Sequence, residues 1–310
     1  MIIRKSKIGC DIVKIGIIGG GSVGLLCAFY LSLHHQVTVL TRRAEQAEAI
    51  CSDGIRLYKE GREYSGECEA DTEINSSYDL LLVTVKQHQL GAVFPKLDQI
   101  KETNILFLQN GMAHIHEIQN WRTAHSLYVG IVEHGAVRKS DTAVEHTGLG
   151  AVKWSAFGHS SPESLHPFFQ QETPGFPIVY ETDWHRLLTG KLIINACINP
   201  LTALLRVKNG ELLASPAYFS YMKMIFREAC AILGLKDREK AWEQVCAVCE
   251  NTKDNYSSML VDVYAGRLTE ADAIIGYLLK EAEIGNHDAI HFEFLYRSIT
   301  ALRQKPDKVF

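Results

Sequence analysis

No apolar run in this sequence reaches the roughly 18 residues that a membrane-spanning helix needs, so a membrane is not an expected partner. Charge of one sign is also missing. Against 36 Asp and Glu stand 32 Lys and Arg, a formal charge of -4, which gives no electrostatic reason for a nucleic-acid partner. The start, MIIRKSKIGCDIV, is basic but has no apolar core or small-residue cleavage site, so it does not read as a secretory signal. Internal repeats and low-complexity segments are absent. Eight cysteines are present but not at framework spacings, which excludes a disulfide scaffold and points to a reducing, cytoplasmic compartment. The single close pair, Cys246 and Cys249, falls in an expected helix from Arg238 to Glu250 and reads as structural. His287 and His291 have helical metal-site spacing but lack the Glu of a zinc-protease motif, so no metal is expected. His34 and His35 are expected in an exposed loop.

What remains is the composition of an ordinary globular protein, 46% hydrophobic and 22% charged over 310 residues, enough for two cores. The first half alternates. Lys14-Ile-Gly-Ile-Ile18 is a β-rich run, followed by Gly19-Gly20-Gly21-Ser22-Val23-Gly24, a helix-compatible apolar stretch to Leu33 and a second strand, Val37–Leu40. A strand, a G-x-G-x-x-G turn, a helix and a strand within about 30 residues is the dinucleotide-binding arrangement. Gly19 permits the tight turn, Gly21 lets backbone approach a pyrophosphate, and Gly24 lets helix and strand pack closely. The phosphates then meet the free amides of the helix N-terminus.

The second strand ends in Thr41-Arg42-Arg43, with no carboxylate before Glu45. An acidic residue there would bind a ribose 2′-hydroxyl, whereas arginine accommodates a 2′-phosphate. NADP(H) is therefore the expected cofactor, with Arg42 its contact. Helix 44–51 follows, then short strands and turns over 54–73. Asp79–Lys86 and Asn104–Leu108 read as buried strands, placing Lys86 and Gln109-Asn110-Gly111 at carboxyl edges, where open α/β sheets bind ligands. Segments 126–132 and 151–157 are further strands, with Gly148-Leu-Gly150 as turn material between them.

From Asp183 onward the pattern is helical. In Gly190–Leu212, Lys191, Asn195 and Asn199 recur every fourth residue, drifting only about 40° per step, so they form one polar stripe on an otherwise apolar helix. Two readings follow from the residues. Either Lys191 reaches water at the helix start while the asparagines cap turns, or a buried amine with two amides serves proton transfer and ligand binding. Glu270 by itself reads as a solvated carboxylate at a helix start.

The chain resembles the ketopantoate reductases, NADP-dependent enzymes of the 6-phosphogluconate-dehydrogenase-like group. The resemblance rests on Gly19-x-Gly21-x-x-Gly24, Val85-Lys86 and Gln109-Asn110-Gly111. It continues through Lys191-x-x-x-Asn195-x-x-x-Asn199-Pro-Leu-Thr, Asn209-Gly-Glu-Leu, and Asn255-x-x-Ser258-Met-Leu-x-Asp with Glu270. The sequence pattern sets an N-terminal extension 1–13, which does not match the family start, and a boundary at 182/183; the resemblance implies that 14–182 is a Rossmann-like, doubly wound α/β domain and 183–310 an all-α substrate domain. It also implies hydride transfer from NADPH to the keto carbon of ketopantoate. Lys191 and Glu270 would be catalytic. The cofactor would be held by Gly19, Gly20, Gly21, Ser22, Val23, Gly24, Arg42, Lys86 and Asn110. Asn110, Lys191, Asn195, Asn199, Asn255 and Ser258 would bind substrate, with Asn209 contacting it or supporting the site. A small-molecule substrate and a homodimer are the expected partners. A reductase of another branched 2-keto acid and a non-catalytic NADPH sensor are the other functions these features allow.

Overall fold

The computed structural model describes residues 13–74 and 77–302. Of the expected extension 1–13 all but Val13 lies outside the described residues, as does the tail from Arg303. The chain forms two compact units. One runs to Gln109 and includes Trp121–Leu187; the other joins Asn110–Asn120 to the chain from Leu188 onward. The expected break at 182/183 is contiguous, whereas the observed units are not, because 110–120 packs with the later helices.

The first unit carries β1 (Lys14–Ile18), α1 (Ser22–Leu31), β2 (Gln36–Leu40), α2 (Ala44–Asp53), β3 (Ile55–Lys59), β4 (Arg62–Gly66) and β5 (Glu69–Asp71). It continues with β6 (Leu80–Val83), α3 (Phe94–Leu97), β7 (Asn104–Phe107), β8 (Ser126–Val132), β9 (Gly135–Arg138), β10 (Ala143–Gly148), β11 (Val152–Ala156) and β12 (Ile178–Tyr180). An eight-stranded sheet has the order β12-β11-β8-β7-β6-β1-β2-β5, parallel except where β11 meets β8. Its central strands are apolar on both faces, as parallel strands covered on both sides must be: all four residues of β6 are buried.

A second sheet, β4-β3-β10-β9, was not expected in full. Strands β3 and β4 fall in the segment read as short strands. By contrast, β9 and β10 replace what looked like turn material. Both are short, and β10 pairs parallel to β3 across some 90 residues of chain, an association local pattern does not announce. This sheet explains α1. That helix touches β1 and β2 on one side and β3, β9 and β10 on another, so every residue from Gly24 to Leu31 is buried. A helix enclosed on all sides is apolar all round rather than striped.

The contact between α1 and the small sheet is polar at its centre. Tyr30 Oη donates to His146 Nδ1 (2.8 Å), and the Nε2 of His146 lies 3.0 Å from His134 Nδ1. Gly150 N–H also donates to His134 Nδ1 (3.1 Å), so that nitrogen is an acceptor and His146 carries its proton on Nε2. Phe176 stacks on both Tyr30 and His134. Burial pushes the His134 pKa down to about 4, with the neighbouring His146 adding to the effect, and lowers that of His146. His35, expected on an exposed loop, is instead 4% exposed, its Nε2 3.0 Å from the Phe168 carbonyl oxygen.

The second unit has α4 (Ala113–Asn120) and the part of α5 (Trp184–Leu205) from Leu188. There follow α6 (Glu211–Ala214), α7 (Pro216–Ile232), α8 (Arg238–Asn251), α9 (Ser258–Tyr264), a π-helical turn at Asp272–Gly276, α10 (Tyr277–Gly285) and α11 (Ile290–Leu302). No strand occurs among its described residues. Helix α5 is long and apolar enough by composition to cross a membrane, contrary to the run-length reading, but 72% of its apolar window is buried inside the fold, as in a core helix. The helical spacing expected of His287 and His291 is not realised, since His287 lies between α10 and α11; His291 is taken up by Glu228, whose carboxylate accepts from the backbone N–H of His291 (3.2 Å) and Phe292 (3.0 Å) at the start of α11. No group of three or more metal-ligating side chains occurs among the described residues. Cys249 is buried in α8, its thiol pushed up to about 12 by desolvation, a structural cysteine.

Candidate active site

The glycine turn joins β1 to α1 with three different demands. Gly19 has φ +117°, a conformation that glycine adopts without strain. A Cβ on Gly24 would lie 1.8 Å from the Gly19 carbonyl oxygen, so helix and turn touch there without room for a methyl group. A Cβ on Gly21 would meet nothing within 4 Å, leaving open space over the turn. Gly21 is the N-cap of α1, and the first turn carries no acidic side chain. The amides of Ser22, Val23 and Gly24 therefore have no carbonyl below them and no carboxylate beside them, the arrangement that receives an anion. Gly20 is held from outside: Gln46, 5% exposed, donates through Nε2 to the Gly20 carbonyl (2.8 Å) and to that of Asp141 (3.0 Å).

The two arginines after β2 separate in role. Arg43 pairs with Asp141 at 2.5 Å, and Arg138 pairs with the same carboxylate, which these arginines hold below its ordinary range, the Arg43 hydrogen bond contributing most. Arg42 is exposed and has no partner among the described residues. Lys86 is half-buried three residues past β6, where its N–H donates to Gln89 Oε1 (3.2 Å). Gln109, 3% exposed, donates to the Val83 and Val85 carbonyls (2.8 and 3.1 Å) and ties the ends of β6 and β7 together. Open space over Gly21, free helix-start amides and an unpaired arginine after β2 fit a dinucleotide with a 2′-phosphate.

In the second unit, Lys191 lies two turns inside α5, because the helix begins at Trp184 rather than near Gly190. Its half-buried side chain is therefore not at a frayed start. Asn195 and Asn199 follow it at 8% and 9% exposure, and neither side-chain amide has a hydrogen-bond partner among the described residues. Their amide atoms are not sealed from solvent, so the stripe offers unused donors and acceptors in one row, a surface suited to a polar ligand. Asn255 and Ser258 are exposed, with side chains likewise unbonded among the described residues. Asn209 differs: 7% exposed, it donates through Nδ2 to Thr252 Oγ1 (2.9 Å), and its N–H bonds the Asn255 carbonyl (3.0 Å).

Asn110 and Glu270 meet. Asn110 Nδ2 donates to Glu270 Oε2 at 2.8 Å, and both side chains are half-buried. The approach depends on Gly111, with φ +77°, where a Cβ would fall 2.1 Å from the Ala273 carbonyl; that carbonyl accepts from Met112 N–H (3.1 Å). Ala273 sits in the π-turn that follows Glu270, a rare geometry concentrated at functional sites. Glu270 is thus a braced carboxylate rather than a solvated one. The π-turn, Asp141 and the buried hydroxyls Thr202 and Ser257 had no functional reading from sequence, since each takes its meaning from a long-range neighbour.

The family description "Ketopantoate reductase PanE/ApbA" matches residues 15–159, and its C-terminal counterpart matches residues 183–303. The chain belongs to the ketopantoate reductase family. It is 69% identical over 298 residues to the 2-dehydropantoate 2-reductase of Bacillus subtilis, covering 96% of this chain and all of that one. A Listeria monocytogenes 2-dehydropantoate 2-reductase is 35% identical over 276 residues, 87% of this chain and 92% of the relative. The crystal structure of a probable 2-dehydropantoate 2-reductase from Bacillus subtilis superimposes with a TM-score of 0.89 at 70% identity, covering 94% of this chain and 100% of that one.

Proposed function

We propose that this protein reduces 2-dehydropantoate (ketopantoate) to (R)-pantoate with NADPH, a step toward pantothenate and coenzyme A. Similarity along nearly the whole chain supports the reaction. The observation that carries the residue assignment is the pair of buried asparagines with unbonded amides, Asn195 and Asn199, in register with Lys191. Cofactor binding is assigned to 14–182 with Asn110, and substrate binding to 183–310. When bound, the reduced nicotinamide supplies the hydride.

The turn Gly19–Gly24 would hold the pyrophosphate, Arg42 the 2′-phosphate, and Lys86 and Asn110 the nicotinamide end. Asn195, Asn199, Asn255 and Ser258 would bind the keto acid's carboxylate and hydroxyl, with Asn209 in support. Lys191 would donate a proton to the oxygen as alkoxide charge develops, which typically contributes 10²–10⁴-fold. Glu270 would accept a hydrogen bond from the new hydroxyl, its orientation set by Asn110. We place the enzyme in the cytoplasm, supported by seven described cysteines that are all free, and propose a homodimer.

NADPH consumption with ketopantoate, alongside a panel of branched 2-keto acids, tests the reading. The expected result is the highest kcat/KM for ketopantoate, and a Lys191→Ala variant that binds NADPH normally but loses about 10³-fold in kcat. A higher kcat/KM for another keto acid would reassign the substrate. Tight NADPH binding without turnover on any of them would make the protein a sensor.

A further inference from the structure

Thr202 and Ser257 are polar, almost sealed from solvent (0% and 4% exposed), and outside the set that can touch a ligand. Their hydroxyls bond each other at 2.7 Å across 55 residues of chain. Leu260 N–H donates to Ser257 Oγ (3.2 Å), and Thr202 Oγ1 reaches the Ile198 and Asn199 carbonyls (2.8 and 3.1 Å). A relay from Leu260 N–H through Ser257 and Thr202 to the Ile198 carbonyl uses each hydroxyl proton once, so nothing buried is left unmatched. One end of the relay is the turn of α5 that carries Asn199. The other is the N-cap of α9, between Asn255 and Ser258.

The same segment is fastened at its far end. Asn209 Nδ2 bonds Thr252 Oγ1, Asn209 N–H bonds the Asn255 carbonyl, and Gly210 N–H bonds the Lys253 carbonyl (3.1 Å). A Cβ on Gly210 would lie 2.5 Å from Lys253 Cβ, so the close approach requires glycine. Residues 252–258 are therefore a strap pinned at both ends, with the unbonded side chains of Asn255 and Ser258 exposed on it.

We propose that Thr202 and Ser257 are positioning residues for the keto acid: their hydroxyl pair sets the distance between Asn255 and Ser258 on the strap and Asn195 and Asn199 on α5, and so sets substrate affinity. The inference rests on the reading that Ser258 and Asn255 bind substrate. Both hydroxyls belong to the helical unit, whereas the glycine turn and Arg42 belong to the first unit, so the effect is expected on the keto acid and not on NADPH.

The test compares Thr202→Val, Thr202→Ser, Ser257→Ala and Ser258→Ala by kcat and KM for ketopantoate, NADPH dissociation constant by nicotinamide fluorescence, and thermal melting. Thr202→Val keeps the shape and removes the hydroxyl. It is expected to raise the ketopantoate KM about tenfold, with kcat and NADPH binding little changed. Thr202→Ser, which keeps the hydroxyl, is expected to restore the KM. Thr202→Val on top of Ser258→Ala should raise KM by less than the product of the single effects. An unchanged KM in Thr202→Val, a parallel loss of NADPH affinity, or a Thr202→Ser variant as impaired as the valine would overturn the proposal. Should the valine variant fail to fold, Ser257→Ala carries the same expectation. A Ser258→Ala variant with wild-type KM would overturn the substrate reading itself, and the inference with it.

Discussion

Asn110 and Glu270, 160 residues apart in sequence, share a 2.8 Å hydrogen bond in the helical unit. The amide donates, so it holds that carboxylate oxygen in place. Hydrogen bonds to charged groups contribute roughly 1.5–3 kcal/mol. If that bond orients Glu270 for the reaction, Asn110→Ala and Glu270→Gln should each lower kcat by about 10–100-fold, and the double variant by less than the product. Multiplicative losses would mean that the two side chains act separately.

The glycine turn predicts two opposite phenotypes from one substitution. Gly24→Ala puts a methyl group 1.8 Å from the Gly19 carbonyl oxygen, a backbone atom that cannot step aside, and should lower the melting temperature markedly. Gly21→Ala meets nothing within 4 Å of its Cβ, so the protein should melt as wild type while losing NADPH affinity. Melting curves with and without NADPH separate the two. A Gly21→Ala protein with normal cofactor affinity would remove the pyrophosphate from that position.

Arg42 and Arg43 should differ. Arg42 has no partner among the described residues, whereas Arg43 is paired with Asp141. Arg42→Ala is expected to weaken NADPH about 10–100-fold and leave NADH unchanged, as the loss of one charge-assisted contact to a 2′-phosphate requires. Arg43→Ala should have the smaller effect. The measurement is the ratio of the two dissociation constants in each variant.

The Tyr30–His146–His134 relay predicts acid sensitivity. Burial lowers the folded-state pKa of His134 from 6.5 to about 4, so the unfolded chain takes up the proton first. Stability from this group is therefore full above pH 6.5 and is lost as pH falls toward 4. Linkage puts the loss between pH 7 and pH 5 at about 2 kcal/mol. His134→Asn should be less stable than wild type at pH 7.5 and should show a smaller drop in melting temperature on going to pH 5. An undiminished drop would place the acid sensitivity elsewhere.

Much of the fold is local and was legible. The run Lys14–Ile18, the glycine turn and the strand to Leu40 appear where alternation and turn chemistry put them, because a parallel strand buried on both faces leaves an uninterrupted apolar run. The stripe of Lys191, Asn195 and Asn199 was legible for a similar reason: helical spacing alone puts them in one row. The small sheet was not. Strands β9 and β10 are short, and the strand that joins their hairpin to the sheet, β3, lies some 90 residues earlier, so the sheet is decided by tertiary pairing. His35 looked like a loop residue, and the carbonyl that buries it, Phe168, is 133 residues distant.

Residue types along this chain determined which chemistry is available: a glycine turn for phosphates, arginines where a carboxylate would select NAD, one lysine among asparagines. Tertiary structure decided which members of that set are free to act. It pairs Arg43 and leaves Arg42 open, commits Asn209 to Thr252 while Asn195 and Asn199 stay unbonded, and braces Glu270 with Asn110. The physical reason is that a polar group's function depends on whether another group already satisfies it. That partner is set by packing between segments that composition and spacing do not relate.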